Sequence, residues 1–116
     1  MSGNKIPESV LVVIYTAQLD VLILERADRS GFWQSVTGSK DAVDEPLMLT
    51  ARRELAEETG FEPDAIAGSV LTDWREHNRY EIYPHWRHRY APGVTHNVEH
   101  AFGFCLPGMQ APTLSA

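Results

Sequence analysis

GSKDAVDEPLMLTARRELAEETGF, residues 38–61, is the stretch on which the reading of this chain turns. From Pro46 the run PLMLTARRELAEET contains no internal glycine or proline and stops at Gly60. That pattern predicts a helix over Pro46–Thr59, with proline in its first turn and glycine at its C-cap. Glu54, Glu57 and Glu58 then stand at i, i+3 and i+4 and share one face. Like charges so placed repel by roughly 0.2–0.5 kcal/mol per pair. A hard divalent cation reverses that repulsion, because it takes oxygen ligands and keeps several waters.

Gly38, Glu45, Arg53-Glu54-Leu55, Glu57-Glu58 and Gly60-Phe61 resemble the Nudix box, G-x5-E-x7-R-E-U-x-E-E-x-G-U, where U is aliphatic or aromatic. Every fixed position from Glu45 onward is present. The departure is at the front, where six residues separate Gly38 from Glu45 instead of five. Asp44 would restore the shorter spacing, but Glu45 is in register with Arg53. Helix register is rigid, so the extra residue is expected in the loop.

The bulk properties fit one domain. The chain has 116 residues, 43% of them hydrophobic, enough for a modest core. It has no apolar run long enough for a membrane helix, and MSGNKIPES has no signal-peptide core. The single cysteine, Cys105, lies in an apolar run and reads as a core residue of a protein in a reducing cytoplasm. A net charge of −6 argues against nonspecific nucleic-acid binding. Acid gathers between Asp41 and Asp64, whereas all five histidines lie between His77 and His100 with Arg75, Arg79, Arg87 and Arg89. An acidic cation site facing a basic wall suits a polyphosphate. His85, His88, His96 and His100 lack a tight zinc-ligand pattern, and there is no second cysteine.

Around the helix, Val10–Tyr15 (VLVVIY) reads as a buried strand and Val21–Leu24 as its hairpin partner. Phe32–Val36 is a short extended piece. Ser69–Arg75, Glu81–Arg87 (an edge or bulge because of Pro84) and Val98–Leu106 complete the strands, with a turn at Ala91-Pro92-Gly93. Strands on both sides of one long helix give an α+β domain with a mixed sheet. The resemblance implies the Nudix α/β/α sandwich. Pro107–Ala116 stops without the second helix of that fold, so residues 1–116 are expected to be a single, C-terminally truncated Nudix domain.

Two further segments narrow the resemblance. FWQSVTGS (Phe32–Ser39) and WRHRYAPGVT (Trp86–Thr95), with Asn97-Val98-Glu99, are similar to the bacterial dihydroneopterin triphosphate pyrophosphohydrolases of folate synthesis. That similarity implies Glu54, Glu57 and Glu58 as catalytic metal ligands, Glu99 as a further ligand from the last strand, and the Gly38 carbonyl as another. It implies Arg53 as the residue that orients a glutamate. Lys5, Arg26, Thr37, Tyr80, Glu81, Ile82 and Tyr83 match substrate-contacting positions, and His100 falls where the family has a small polar contact. Read as residues, Tyr80, Tyr83 and Trp33 either stack on a flat heterocycle or serve as core and rim aromatics. Arg26 either takes phosphate or pairs with Glu25 or Asp28. Arg87 and Arg89 alternate on an extended piece and either bind phosphate or pair with acids of the helix.

The implied reaction is hydrolysis of dihydroneopterin triphosphate to the monophosphate and pyrophosphate, with Mg²⁺ or alternatively Mn²⁺, and with side activity on deoxynucleoside triphosphates. A carboxylate of the box or Glu99 serves as the base. The alternatives are a housekeeping nucleoside triphosphate pyrophosphohydrolase and a non-catalytic nucleotide-binding Nudix domain. The expected partner is a small molecule, with neither nucleic acid nor membrane.

Overall fold

The computed structural model describes residues 4–25 and 33–113. Its strands are β1 (Glu8–Thr16), β2 (Val21–Leu22), β3 (Leu24–Glu25), β4 (Trp33–Gln34), β5 (Val36–Ser39), β6 (Val70–Glu81) and β7 (His96–Leu106), with one helix, α1 (Leu47–Thr59), between β5 and β6. β1 is central. It runs parallel to β7 from Glu8↔Val98 to Thr16↔Leu106. Its other edge is shared by β5, against Ser9–Val12, and β2, against Ile14 and Tyr15, both antiparallel. β6 closes the far side of β7 in antiparallel register, and β3 with β4 forms a separate two-stranded ribbon. This is the expected α+β arrangement with a mixed sheet and one long helix.

Strand alternation sorts the sheet into two faces. Val10, Val12 and Ile14 of β1 share a face with Val36 of β5 and with Phe102 and Phe104 of β7. These residues pack with Ala51 and Leu55 of α1 and with Phe61 into one buried cluster. Ala51, Leu55 and Thr59 are buried at four-residue spacing, so the inner face of α1 is a single stripe. Pro46 is the N-cap, and Gly60 ends the helix at φ 76° with its N–H on the Ala56 carbonyl, 2.9 Å away. Only glycine adopts that left-handed cap without strain.

The second face carries Leu11, Val13 and Tyr15 with Ala101, Gly103 and Cys105. Cys105 is partly buried on it rather than a core residue. Among the described residues no helix covers this face. Trp74 covers part of it: a Cβ on Gly103 would strike its indole ring, and its ring centroid lies 6.2 Å from that of Tyr15. Trp74 reaches across because β6 bulges, its register jumping from Asp73↔Phe102 to Glu76↔Ala101. Arg75 takes φ 59° there, and its N–H bonds the Asp73 carboxylate at 2.8 Å.

Two expectations change. β6 continues past Arg75 to Glu81. The strand expected over Glu81–Arg87 is instead the end of β6 followed by a 3-10 turn, Pro84–Arg89. Proline has no N–H for a ladder and a φ fixed near the helical value, so it opens the turn after Tyr83. Arg87 and Arg89 therefore do not alternate along a strand. Arg87 folds back on the Glu81 carboxylate (2.8 Å) and the Ile82 carbonyl (3.0 Å), and Arg89 lies over the Trp86 ring.

Candidate active site

The site is assembled where the exposed side of α1 meets β5. Arg53 is its hub. Its guanidinium donates to Glu45 through Nε (3.2 Å) and Nη2 (3.0 Å), to Glu54 through Nη1 (2.7 Å), and to the Ser39 carbonyl through Nη2 (3.0 Å). Asp41 stands 3.1 Å from Nε, and Glu57 3.7 Å from Nη1. Glu45 also accepts from the Thr50 hydroxyl (2.8 Å) and the Asp41 N–H (2.9 Å). Arg53 holds the Glu45 carboxyl down to about 2. Glu45, not Asp44, is thus the partner of Arg53, and the extra residue is taken up in the turns between Lys40 and Glu45.

Gly38 brings β5 against the helix. A Cβ there would fall on the Glu54 carboxylate, so only glycine admits that side chain. Glu54 and Glu58 lie in hydrogen-bond contact with each other, both partly buried. Burial and the Glu54 carboxylate push Glu58 up to about 8, while the Thr37 N–H pulls the other way. Burial raises Glu54 as well. Two carboxylates held together titrate as a pair. The arrangement leaves oxygen donors facing each other with too little positive charge, which fits a hard divalent cation. Among the described residues no three acidic, histidine or cysteine side chains converge on one point, so waters and substrate oxygens would complete the shell.

The ladder assigns the backbone ligand. The Lys40 N–H bonds the Glu8 carbonyl, 3.1 Å away, one step beyond the Ser9↔Ser39 pair. Hydrogen-bonded pairs recur every second residue, so Gly38 and Val10 form the next one and the Gly38 carbonyl points into the sheet. Thr37, opposite Leu11, turns its N–H and carbonyl to the open edge of β5, where its N–H reaches Glu58. The carbonyl at the edge is therefore that of Thr37, which corrects the expectation for Gly38.

The structure does not bring every expected residue to this edge. Glu57 is exposed and drawn toward Arg53. Glu99 pairs with Ser9 and so lies on the face opposite α1, two strands and roughly 10 Å from β5. Burial raises its carboxyl, with no contribution from the helix glutamates. The alternation of β7 therefore overturns Glu99 as a fellow ligand of Glu54 and Glu58. Ile82 is buried, its N–H committed to Thr95 (2.8 Å) and its carbonyl to Arg87, which leaves it no free contact. His100 lies on the α1 face and bonds Glu8 at 2.9 Å, and Glu8 also pairs with Lys40 at 2.8 Å. Tyr80 lies on the other face, where its hydroxyl accepts from Asn97 at 3.1 Å. Lys5 bonds the Arg89 carbonyl through its N–H and sets its ammonium 5.8 Å from the Tyr90 ring centre. Tyr83 is exposed and stacks on His85, and Glu81 is taken by Arg87. Arg26 and the Trp33 side chain fall outside the described residues.

Reading by residue type missed Asn97. It is fully buried, and its amide nitrogen donates to Ser9 (2.8 Å) as well as Tyr80. The signal was there: Asn97 and Glu99 are polar at alternate positions, on the same face as Ala101, Gly103 and Cys105.

A central mixed sheet, one glutamate-rich helix closed by glycine, and an arginine clamping carboxylates beside a glycine strand define a class. The NUDIX domain model matches residues 5–111, and the chain belongs to the Nudix family. Among its relatives, the dihydroneopterin triphosphate diphosphatase of Haemophilus influenzae is 47% identical over 88% of this chain and 64% of its own length. That of Escherichia coli is 46% identical over 89% of this chain and 68% of its own length. The solved E. coli dihydroneopterin triphosphate pyrophosphohydrolase superposes with a TM-score of 0.85 at 41% identity, covering 98% of this chain and 77% of that one. The chain thus spans about two thirds of the length of the curated relatives it matches.

Proposed function

We propose that this chain hydrolyses dihydroneopterin triphosphate to dihydroneopterin monophosphate and pyrophosphate. The observation that carries this reading is the Glu54–Glu58 pair beside Gly38, locked by Arg53. The substrate assignment is supported by relatives of that activity at 46 and 47% identity. Nudix hydrolases generally use divalent ions. Glu54 and Glu58, with the Thr37 carbonyl, would hold one here, and Mg²⁺ is the proposed ion, with Mn²⁺ as its substitute. When bound, such an ion neutralises phosphate oxygens and acidifies water.

The chain's own groups supply the rest. Arg53 fixes Glu54 by a 2.7 Å charge-assisted bond, and Glu45 fixes Arg53. Water attacks one phosphorus beside the α–β bridging oxygen, that P–O bond breaks, and the proton from water passes to a carboxylate of the box. Glu54, Glu57 and Glu58 are all on the helix, whereas Glu99 lies across the sheet, away from this step. Lys5, Tyr80 and Thr37 are the proposed substrate contacts, with Tyr83 at the rim. Because these carboxylates grip phosphates, deoxynucleoside triphosphates are expected as weaker substrates. The free thiol of Cys105 suits a reducing cytoplasm.

The test is pyrophosphate release from dihydroneopterin triphosphate beside a deoxynucleoside triphosphate panel, with Mg²⁺ and with EDTA. The expected result is metal-dependent release with at least tenfold higher kcat/KM for the pterin, about 1.4 kcal/mol of transition-state binding. Glu54→Gln should remove most of it and leave the fold intact. Equal or better turnover of deoxynucleotides would retain the chemistry and overturn the substrate.

A further inference from the structure

The face of the sheet away from α1 is apolar along most of β1 and β7, but one row across it is not. Ser39 of β5, Ser9 of β1, Glu99 of β7 and Asn78 of β6 are direct neighbours by register, and all four point to that face. Asn97 and Tyr80 stand in the next row. One member of this floor is buried and unsatisfied, and another is a carboxylate without a protein partner among the described residues. Asn97 Oδ1 is buried and has no hydrogen-bond partner, although Nδ2 of the same amide has two. Glu99, partly buried, makes no hydrogen bond or ion pair among the described residues. The buried amide oxygen lacks a donor, a deficit that is costly in a folded protein, and the partly exposed Glu99 carboxylate is left to solvent or a ligand.

We propose that this polar floor recognises the heterocycle of the substrate, with the Glu99 carboxylate taking the two adjacent N–H groups of a 2-amino-4-oxopyrimidine edge. This rests on the pterin reading above and deepens it. A planar carboxylate matches two parallel N–H donors as it matches a guanidinium, and such pairs are short and strong. Asn97 lies two residues along the same strand, roughly 6.6 Å away, and borders the floor with its own Oδ1 buried and without a donor. Asn97 is also a positioning residue, since it ties the Tyr80 hydroxyl to Ser9 and so sets the Tyr80 ring, 44% exposed, beside the floor. The phosphate chain then crosses β1 and reaches the open edge of β5, where Thr37 meets Glu58.

The experiment measures binding by calorimetry, without metal, of dihydroneopterin and of its analogue carrying a 2-oxo group in place of the 2-amino group. The wild-type protein and Glu99→Gln are compared. The wild type should favour the 2-amino ring by tenfold or more, because the analogue sets an oxygen against the carboxylate. Glu99→Gln should bring the preference to within about threefold. The ratio is taken on one protein at a time, so partial loss of folded material cancels. A preference unchanged in Glu99→Gln, or no preference in the wild type, overturns this role for Glu99 while metal-dependent hydrolysis of dihydroneopterin triphosphate still stands. Absence of that hydrolysis overturns the pterin reading itself, and this inference with it.

Discussion

Gly38 shows how one missing side chain sets the chemistry. It lets Glu54 lie against β5, where Arg53 and Glu58 both reach it. Gly38→Ala should displace the carboxylate and lower kcat on the order of 100-fold, as small misplacements do, with an unchanged circular dichroism spectrum. Glu58 carries a second prediction. Its folded value of about 8 lies above the ordinary 4.5, so the folded protein binds that proton more tightly than the unfolded chain. Its contribution is favourable at low pH and is lost as pH rises through that interval. The melting temperature of the metal-free protein should therefore fall between pH 6 and pH 9, and Glu58→Gln should flatten that decline. Mg²⁺ should raise it by more at pH 9 than at pH 6, because ligand carboxylates must be ionised. The box residues were legible because their spacing on a helix fixes which side chains meet. Glu99 was misplaced because a sequence string carries no record of which face of a distant strand it will join.

At the scale of elements, the loop from Lys40 to Glu45 and the helix form one unit. Arg53 holds the loop at the Ser39 carbonyl, at Asp41 and at Glu45. This is why an additional loop residue leaves the register of Glu45 intact. Glu45→Gln removes the charge that Arg53 faces and should cost about 2 kcal/mol, a typical value for a charged hydrogen bond. The Glu45 carboxyl is depressed to about 2, so its contribution is complete above the ordinary 4.5 and is lost as pH falls toward 2. Urea titrations at pH 7 and pH 3 should show a smaller deficit for the variant at the lower pH. α1 was readable to within one residue from Pro46 and Gly60. The segment after Glu81 was not. Alternating polar and aromatic residues suit a strand as well as a 3-10 turn, and the contacts of Arg87 with Glu81 and Ile82, which close the turn, appear only in three dimensions.

On the scale of the whole molecule, the sheet separates two tasks. The face toward α1 holds the core, and its β5 edge holds the carboxylates. The opposite face holds Ser9, Asn97, Tyr80 and Glu99. The sequence had shown an acidic half and a basic half, but the dividing surface is the sheet, and it sends His100 to one side and Tyr80 to the other. The central position of β1 has an additional consequence. Its long neighbour is β7, and the two align in parallel from Glu8↔Val98 to Thr16↔Leu106. During synthesis β1 must wait for β7, while the helix between them is already complete. Chains interrupted before Leu106 would carry every glutamate of the box and still lack the support beneath it. Such non-local parallel pairing is slow to form and leaves an apolar strand open meanwhile. The box carboxylates therefore gain their sheet support only when β7 pairs, and until then β1 is a natural client for a chaperone.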